Sequence, residues 1–178
     1  AYDDRLDLLY RLKQINIPTI HFMGAEPLFD ADLFPLAKTA RSLGITVRLT
    51  SNSTYLKIHA PRIVECFDAI TIPLDGLINW LSVQSTSRSD HDTAEADDPM
   101  LVDELTDLLS FFRGTKTAIA LTASLSGESI GHIMSIMKIA AEFQTIFKVY
   151  PKFPGFSKAL LGQLSFSEYS RFMEGYFD

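Results

Sequence analysis

Few residues of this chain combine a reactive side chain with a position that could use it. His21 lies in Thr19-Ile20-His21-Phe22-Met23, where alternation with Ile20 and Phe22 turns the imidazole to the polar side of a strand. There it could pass a proton or touch a substrate, or serve as a hydrogen-bonded interior group. Arg48 alternates in the same way with Val47 and Leu49, and Lys148 with Phe147 and Val149. A cation on an enclosed face is costly unless it is paired or meets an anionic ligand. Arg48 and Lys148 therefore either pair with a carboxylate such as Glu26 or Asp75, or face an anion that binds there. Taken by itself, Glu26 just before Pro27 suits a helix N-terminus, where a carboxylate complements the dipole. Cys66 is the single cysteine and reads as a small apolar filler, which excludes a disulfide framework and any metal site built on several thiolates. His91, between Asp90 and Asp92, sits in a polar stretch and reads as solvent-facing, while His132 has no His or carboxylate at the i+4 spacing of a helical metal site. No metal site is expected. Nucleophile elbow, phosphate loop and His-Glu-x-x-His motif are all absent, and Ser126-Gly127 reads as a loop rather than a catalytic serine.

The elements that must position these groups alternate along the chain. Leu6, Leu8, Leu9, Tyr10 and Leu12 give a helix between Asp3 and Gln14 a broad apolar face, closed by Asn16. The strand Thr19 to Met23 ends at Gly24-Ala25-Glu26-Pro27. Asp30 or Asp32 then caps a helix whose Leu33, Leu36, Ala37 and Ala40 share one face, with Gly44 at its left-handed end. Strand Ile45 to Thr50 leads into Ser51-Asn52-Ser53, a short helix ends near Cys66, and strand Asp68 to Leu74 leads into Asp75-Gly76. Residues Gln84 to Asp98 hold no strongly apolar side chain and are expected to form a solvated, mobile loop. Beyond it come a helix through Leu101 to Phe112, strand Thr117 to Ala123, a helix opening at Ser126-Gly127, strand Ile146 to Tyr150, and a capping box Ser165-Phe166-Ser167-Glu168 that starts a last helix to Phe177. Alternating strands and helices at this spacing predict right-handed βαβ units in a parallel α/β sheet of about five strands, taken in sequential order with the Ile20 strand at an edge. A strand buried on both faces would be apolar on both, yet Thr46, Arg48 and Thr50 alternate with Ile45, Val47 and Leu49. One face of the sheet must therefore line a concave, wet or ligand-filled interior, as in a barrel or part-barrel, with the chemistry at the C-terminal strand ends.

Composition sets the outer bounds. At 178 residues the chain is expected to form one domain over 1–178, and 47% apolar with 21% charged residues describes a folded protein rather than a disordered one. A formal charge of −6 argues against a nucleic-acid partner, which calls for a basic stripe. No apolar run is long enough to span a membrane and the start is not a signal peptide, so the expected location is cytoplasmic.

Three strand ends carry a resemblance. Gly24-Ala25-Glu26-Pro27-Leu28, Ser51-Asn52-Ser53 and Pro73-Leu74-Asp75-Gly76 resemble, in order and spacing, the Gly-Gly-Glu-Pro, Thr-Asn-Gly and Ser-Leu-Asp-Gly ends of strands two to four in the radical S-adenosylmethionine (radical SAM) enzymes, closest to the subgroup acting on peptides and cofactor precursors. Residues Pro151 to Ala159 and Leu164 to Met173 look like the stretch after strand six. The resemblance implies a (βα) part-barrel that holds S-adenosylmethionine across the strand ends, with a [4Fe-4S] cluster beside it in the intact family. It carries to Gly24, Ala25 and Glu26 a role in binding the methionyl ammonium, for which close backbone approach and an acidic side chain are suited. It carries to Asn52, Asp75 and Thr122 a place near the ribose and adenine. His21, Arg48 and Lys148 are the candidates for touching substrate.

The chain also departs from the family. The Cys-x-x-x-Cys-x-x-Cys loop that holds the cluster is absent, and the family's first strand and loop would precede Ala1. Ala25 and Ser53 replace glycines, and Pro73 replaces a serine. Two alternatives follow. The chain is the C-terminal portion of a radical SAM enzyme that makes a radical acting on a peptide or small organic substrate, or it is a scaffold or binding subunit that has lost redox activity. In either case this chain alone is expected to be inactive in radical chemistry and to retain no cofactor strongly, and its first strand offers an edge for a protein partner or a second copy.

Overall fold

Apolar residues at every second position of five short segments drive one sheet. The computed structural model describes residues 1–51, 55–78, 81, 102–125 and 130–151. In chain order they form α1 (Tyr2–Gln14), β1 (Thr19–Phe22), a 3-10 turn (Pro27–Phe29), α2 (Leu33–Ser42), β2 (Thr46–Thr50), α3 (Leu56–Cys66), β3 (Ala69–Pro73), α4 (Val102–Phe112), β4 (Ala118–Leu125), α5 (Ile130–Glu142) and β5 (Ile146–Pro151). The sheet has five strands in the order β1-β2-β3-β4-β5, every pair parallel, with β1 at one edge. This is the α/β architecture and sequential order expected from the sequence. Asn52, Ser53, the segment 84–98 with His91, Ser126-Gly127 and the last expected helix lie outside the described residues.

The two faces of the sheet differ as alternation requires. Val47, Leu49, Ile70, Ile72 and Leu121 point to the helices and are at most 1% exposed. Phe67, just before β3, sits in the same core with its ring edge-on to Phe22 and Phe34, both at 6.1 Å between centroids. Ile20, Val47 and Val149 lie on the helix side. His21, Arg48 and Lys148 lie on the other face and are exposed, so the register is the expected one.

Two local expectations are corrected. Asp32 occupies the N-cap position of α2, but its side chain makes no capping bond. Its carboxylate instead takes Arg5 Nη2, while Arg5 Nη1 takes Asp30, and the Asp32 amide donates to Asp30 Oδ1 at 3.0 Å. A guanidinium is a stronger partner for a carboxylate than a neutral amide, and here it ties α1 to the loop after β1. The apolar face of α1 is also less covered than its composition suggests. Only Leu9 is buried, Leu8 is 53% exposed, and a groove of about 170 Å³ remains between α1 and β1, lined by Leu8, Leu12, Ile20 and Phe22. The end of α2 follows expectation: Gly44 has φ +73° and closes the helix through its amide to Arg41 at 2.9 Å and the Ile45 amide to Ala40 at 3.0 Å. β4 runs two residues beyond the expected Ala123, because Ser124 and Leu125 still pair with Tyr150 and Pro151. Among the described residues no helix is long and apolar enough to cross a membrane.

Candidate functional site

The C-terminal ends of β1 and β2 are tied together by one carboxylate. Glu26 caps the 3-10 turn, its Oε1 accepting the Leu28 amide at 2.9 Å, and Pro27 fits the first position of that turn because no amide is needed there. Ser51, 2% exposed at the end of β2, donates its hydroxyl to Glu26 Oε1 and Oε2 at 2.9 and 3.0 Å. The helix-terminus reading of Glu26 is thus realised, and a link to β2 is added to it. An ionised carboxylate offers about four acceptor sites, so these two donors leave capacity for a further one such as an ammonium. Before it, Gly24 adopts φ +152°, a conformation that side chains disfavour, and the space where a Cβ would stand is open. The residues here fit an amino-acid ammonium approaching the loop backbone.

The ends of β3 and β4 are joined similarly. Asp75 Oδ1 accepts the Ser124 amide at 2.9 Å, and the Leu74 amide donates to the Thr122 carbonyl at 2.8 Å. Thr122 is buried on the interior face, in register between Pro73 and Lys148. Of the candidates for the cofactor, Gly24, Ala25 and Glu26 cluster at the end of β1, Asp75 and Thr122 stand across the sheet, and Asn52 is outside the described residues.

Below the strand ends lie the three basic candidates. His21 Nε2 is 2.8 Å from Thr50 Oγ1, which fulfils the hydrogen-bonded histidine reading. Partial desolvation, then the Arg48 cation, then Lys148 hold the His21 imidazole below its ordinary range, and a backbone hydrogen bond at Leu49 partly opposes them. The sequence left open a pairing of Arg48 or Lys148 with Glu26 or Asp75. Among the described residues neither cation has a carboxylate within 4.0 Å, since Glu26 is turned to Leu28 and Ser51 and Asp75 to Ser124.

Cys66 is buried at the end of α3, and burial pushes its thiol up, away from the thiolate a metal requires. Among the described residues no three His, Cys, Asp or Glu side chains stand close enough to hold a metal. Sequence reasoning missed Ser51 as the partner of Glu26 and Thr50 as the partner of His21. The second was accessible from alternation, because Thr50 shares a strand face with Arg48. The first was not, because Ser51 lies past the end of β2, where alternation no longer applies. Phe29 and Tyr55, edge-on at 5.4 Å and both exposed, were likewise unanticipated near this rim.

No protein-family profile matches the chain. A curated protein, the pre-heme d1 synthase of Dinoroseobacter shibae, is 36% identical over 73 residues, which is 40% of this chain and 18% of that protein. Among solved structures, Streptococcus suis SuiB bound to S-adenosylmethionine has a TM-score of 0.73 at 15% identity, covering 99% of this chain and 40% of its own. SuiB bound to its precursor peptide SuiA scores 0.72 at 17% identity, covering 99% and 38%. Native anSMEcpe with bound AdoMet scores 0.70 at 15% identity, covering 98% and 50%. These structural neighbours are radical SAM enzymes, and the chain has their parallel part-barrel fold. It spans at most half the length of each of these proteins.

Proposed function

We propose that this chain is the C-terminal portion of a radical SAM enzyme domain whose intact form cleaves S-adenosylmethionine and directs the resulting radical at a peptide or small organic substrate. The Gly24–Glu26 loop carries this reading: an open glycine backbone and a carboxylate with spare acceptor capacity stand at the end of β1, in a sheet of radical SAM fold. Glu26 would take the methionyl ammonium, with the Gly24 and Ala25 backbone beside it, and Asn52, Asp75 and Thr122 would flank the ribose and adenine. Peptides bound to two of the neighbours, SuiA and Kp18Cys, support a peptide as one substrate class. The edge of β1, which pairs with no further strand among the described residues, is the place where a protein partner or second copy would add.

The residues of this chain do not fit the [4Fe-4S] cluster. Such clusters are held by several thiolates, whereas the sequence has one cysteine, whose burial pushes its thiol pKa up. No step is therefore assigned to this chain through a cluster. A second reading, a scaffold that binds without redox chemistry, is favoured by Pro73, which brings neither hydroxyl nor amide to the interior position beside Thr122.

Calorimetry with S-adenosylmethionine tests the site: weak binding that Glu26→Gln abolishes is expected, and binding indifferent to that substitution overturns the assignment. Anaerobic treatment with iron and sulfide, followed by reductant, tests the chemistry. This chain should assemble no cluster and release no 5′-deoxyadenosine. Activity in a longer gene product with upstream cysteines supports the enzyme reading, and its absence there supports the scaffold.

A further inference from the structure

The hydrogen-bond register places His21 beside Arg48, and continues that row to Ala69 on β3 and Ala118 on β4. On β5 the row would reach position 144, since Ala120 pairs with Ile146, so Lys148 stands four residues further on. In a barrel with strands tilted about 36° and a shear of about one residue per strand, equal height around the wall advances by that same residue at each strand. Four strand steps separate β1 from β5, so the offset brings Lys148 to the height of His21. A flat sheet would hold these strands about 19 Å apart, and the curl of a part-barrel toward this face brings them nearer. Three basic side chains therefore converge on one level of the interior.

Their surroundings are one-sided. Arg5, Arg11, Arg41 and Lys57 each have a carboxylate within 4.0 Å, and Arg62 stacks on Phe34 at 3.8 Å. Arg48 and Lys148, like the exposed Lys13, Lys38, Lys116 and Lys138, have no carboxylate within 4.0 Å among the described residues. The groups near them on this face are Thr46, Thr50, Thr71 and Thr122, hydroxyls that can donate to an anion. In a chain of formal charge −6, these cations share their face with hydroxyls and with small apolar side chains such as Ala69 and Ala118 rather than with carboxylates.

We infer that His21, Arg48 and Lys148 form a carboxylate-binding level of the interior, and that the substrate of this site bears a carboxylate. The inference rests on the reading of the interior as the substrate side. The cofactor's own carboxylate is the competing source, and titration with S-adenosylmethionine separates the two. Along the backbone His21 precedes Gly24, and Arg48 precedes Ser51, by three residues or about 10 Å, while Lys148 pairs with Thr122 nearer the rim and the His21 ring reaches Thr50. An α-amino acid carries its ammonium and carboxylate on the same carbon, so a cofactor anchored at Glu26 would keep both near the rim.

Succinate is the probe, with its uncharged diamide as control, and the His21 ring resonance, assigned by loss in His21→Gln, is the readout. Succinate should move that resonance saturably and the diamide should not. Arg48→Gln combined with Lys148→Gln should weaken the response about tenfold or more, and Arg48→Lys should keep most of it. No saturable shift, or one unchanged in the double variant, overturns the inference. S-adenosylmethionine titrated into the same variants separates the sources. If its affinity falls in step with that of succinate, the carboxylate is the cofactor's and the substrate assignment fails. If succinate binds where S-adenosylmethionine does not, the anion level stands and the radical SAM reading fails.

Discussion

The helix side and the interior side of the sheet are built from the same strands by opposite rules. On the helix side Val47, Leu49 and Leu121 are fully buried under the helices, and among the described residues no charged side chain is buried in that layer. On the interior side, one residue away along the same backbone, Thr46 and Arg48 are exposed and His21 is held by a single threonine. Burial removes apolar area from water at about 25 cal/mol per Å², so the first face carries the stability. The second carries exposed polar groups whose removal leaves the core untouched. Fold and chemistry are thus separated by a period of two along each strand, and the strand ends, where Glu26 and Ser51 meet, are where the two couple.

The largest effect should come from crossing that boundary. Leu49→Ala or Leu121→Ala leaves a cavity under the sheet and should cost about 2–5 kcal/mol in urea unfolding, whereas Arg48→Gln on the opposite face should stay within about 0.5 kcal/mol. Equal losses would mean that the interior cation is structural, and the contrast between the faces would fail. Ser51→Ala tests the coupling point. Its hydroxyl is buried and bonded to a carboxylate, but Glu26 is half-exposed and keeps the Leu28 amide, so a loss of about 1 kcal/mol is expected. The same variant should speed amide exchange at Leu28 and Phe29 while leaving β3 and β4 protected. Uniform exchange throughout would show that Ser51 serves global stability instead of the loop.

Much of this separation is legible in the sequence because it is periodic. Alternation at Ile45 to Thr50 and at Ile146 to Tyr150 reports which side of a strand meets helices, and the register bears it out at Arg48 and Lys148. What alternation cannot report is competition between partners. Asp32 stands where a helix cap belongs, but Arg5, twenty-seven positions earlier, takes its carboxylate. Glu26 and Asp75 are the acids that the sequence offers to Arg48 and Lys148, yet their carboxylates are held by the backbone amides of Leu28 and Ser124. The rim was readable as a place, from Gly24 and Gly76 at strand ends, but its internal wiring depends on contacts distant in sequence. Helix α1 shows the same limit: its leucines predict an apolar face, and only the packing shows that Leu8 is left exposed beside β1.

The smallest effect is electrostatic and separates the two faces without disturbing either. His21 is held below the ordinary imidazole range by partial desolvation, then by Arg48, then by Lys148. A folded-state value below the unfolded one means that the unfolded chain binds more protons as pH falls toward it. The contribution of this group is therefore complete above the ordinary imidazole value and is lost as pH falls through that value toward the folded one. Arg48→Gln removes one of the repelling cations, so the His21 midpoint should rise in an NMR titration and the acid-side loss should shrink. Desolvation remains, so the midpoint should not return fully to the unfolded value. Substituting Arg62, whose guanidinium stacks on Phe34 among the helices, should leave the His21 midpoint where it was. A midpoint that moves with Arg62 and not with Arg48 would place His21 in the field of the helix layer, and the interior would lose its claim to a separate electrostatic identity.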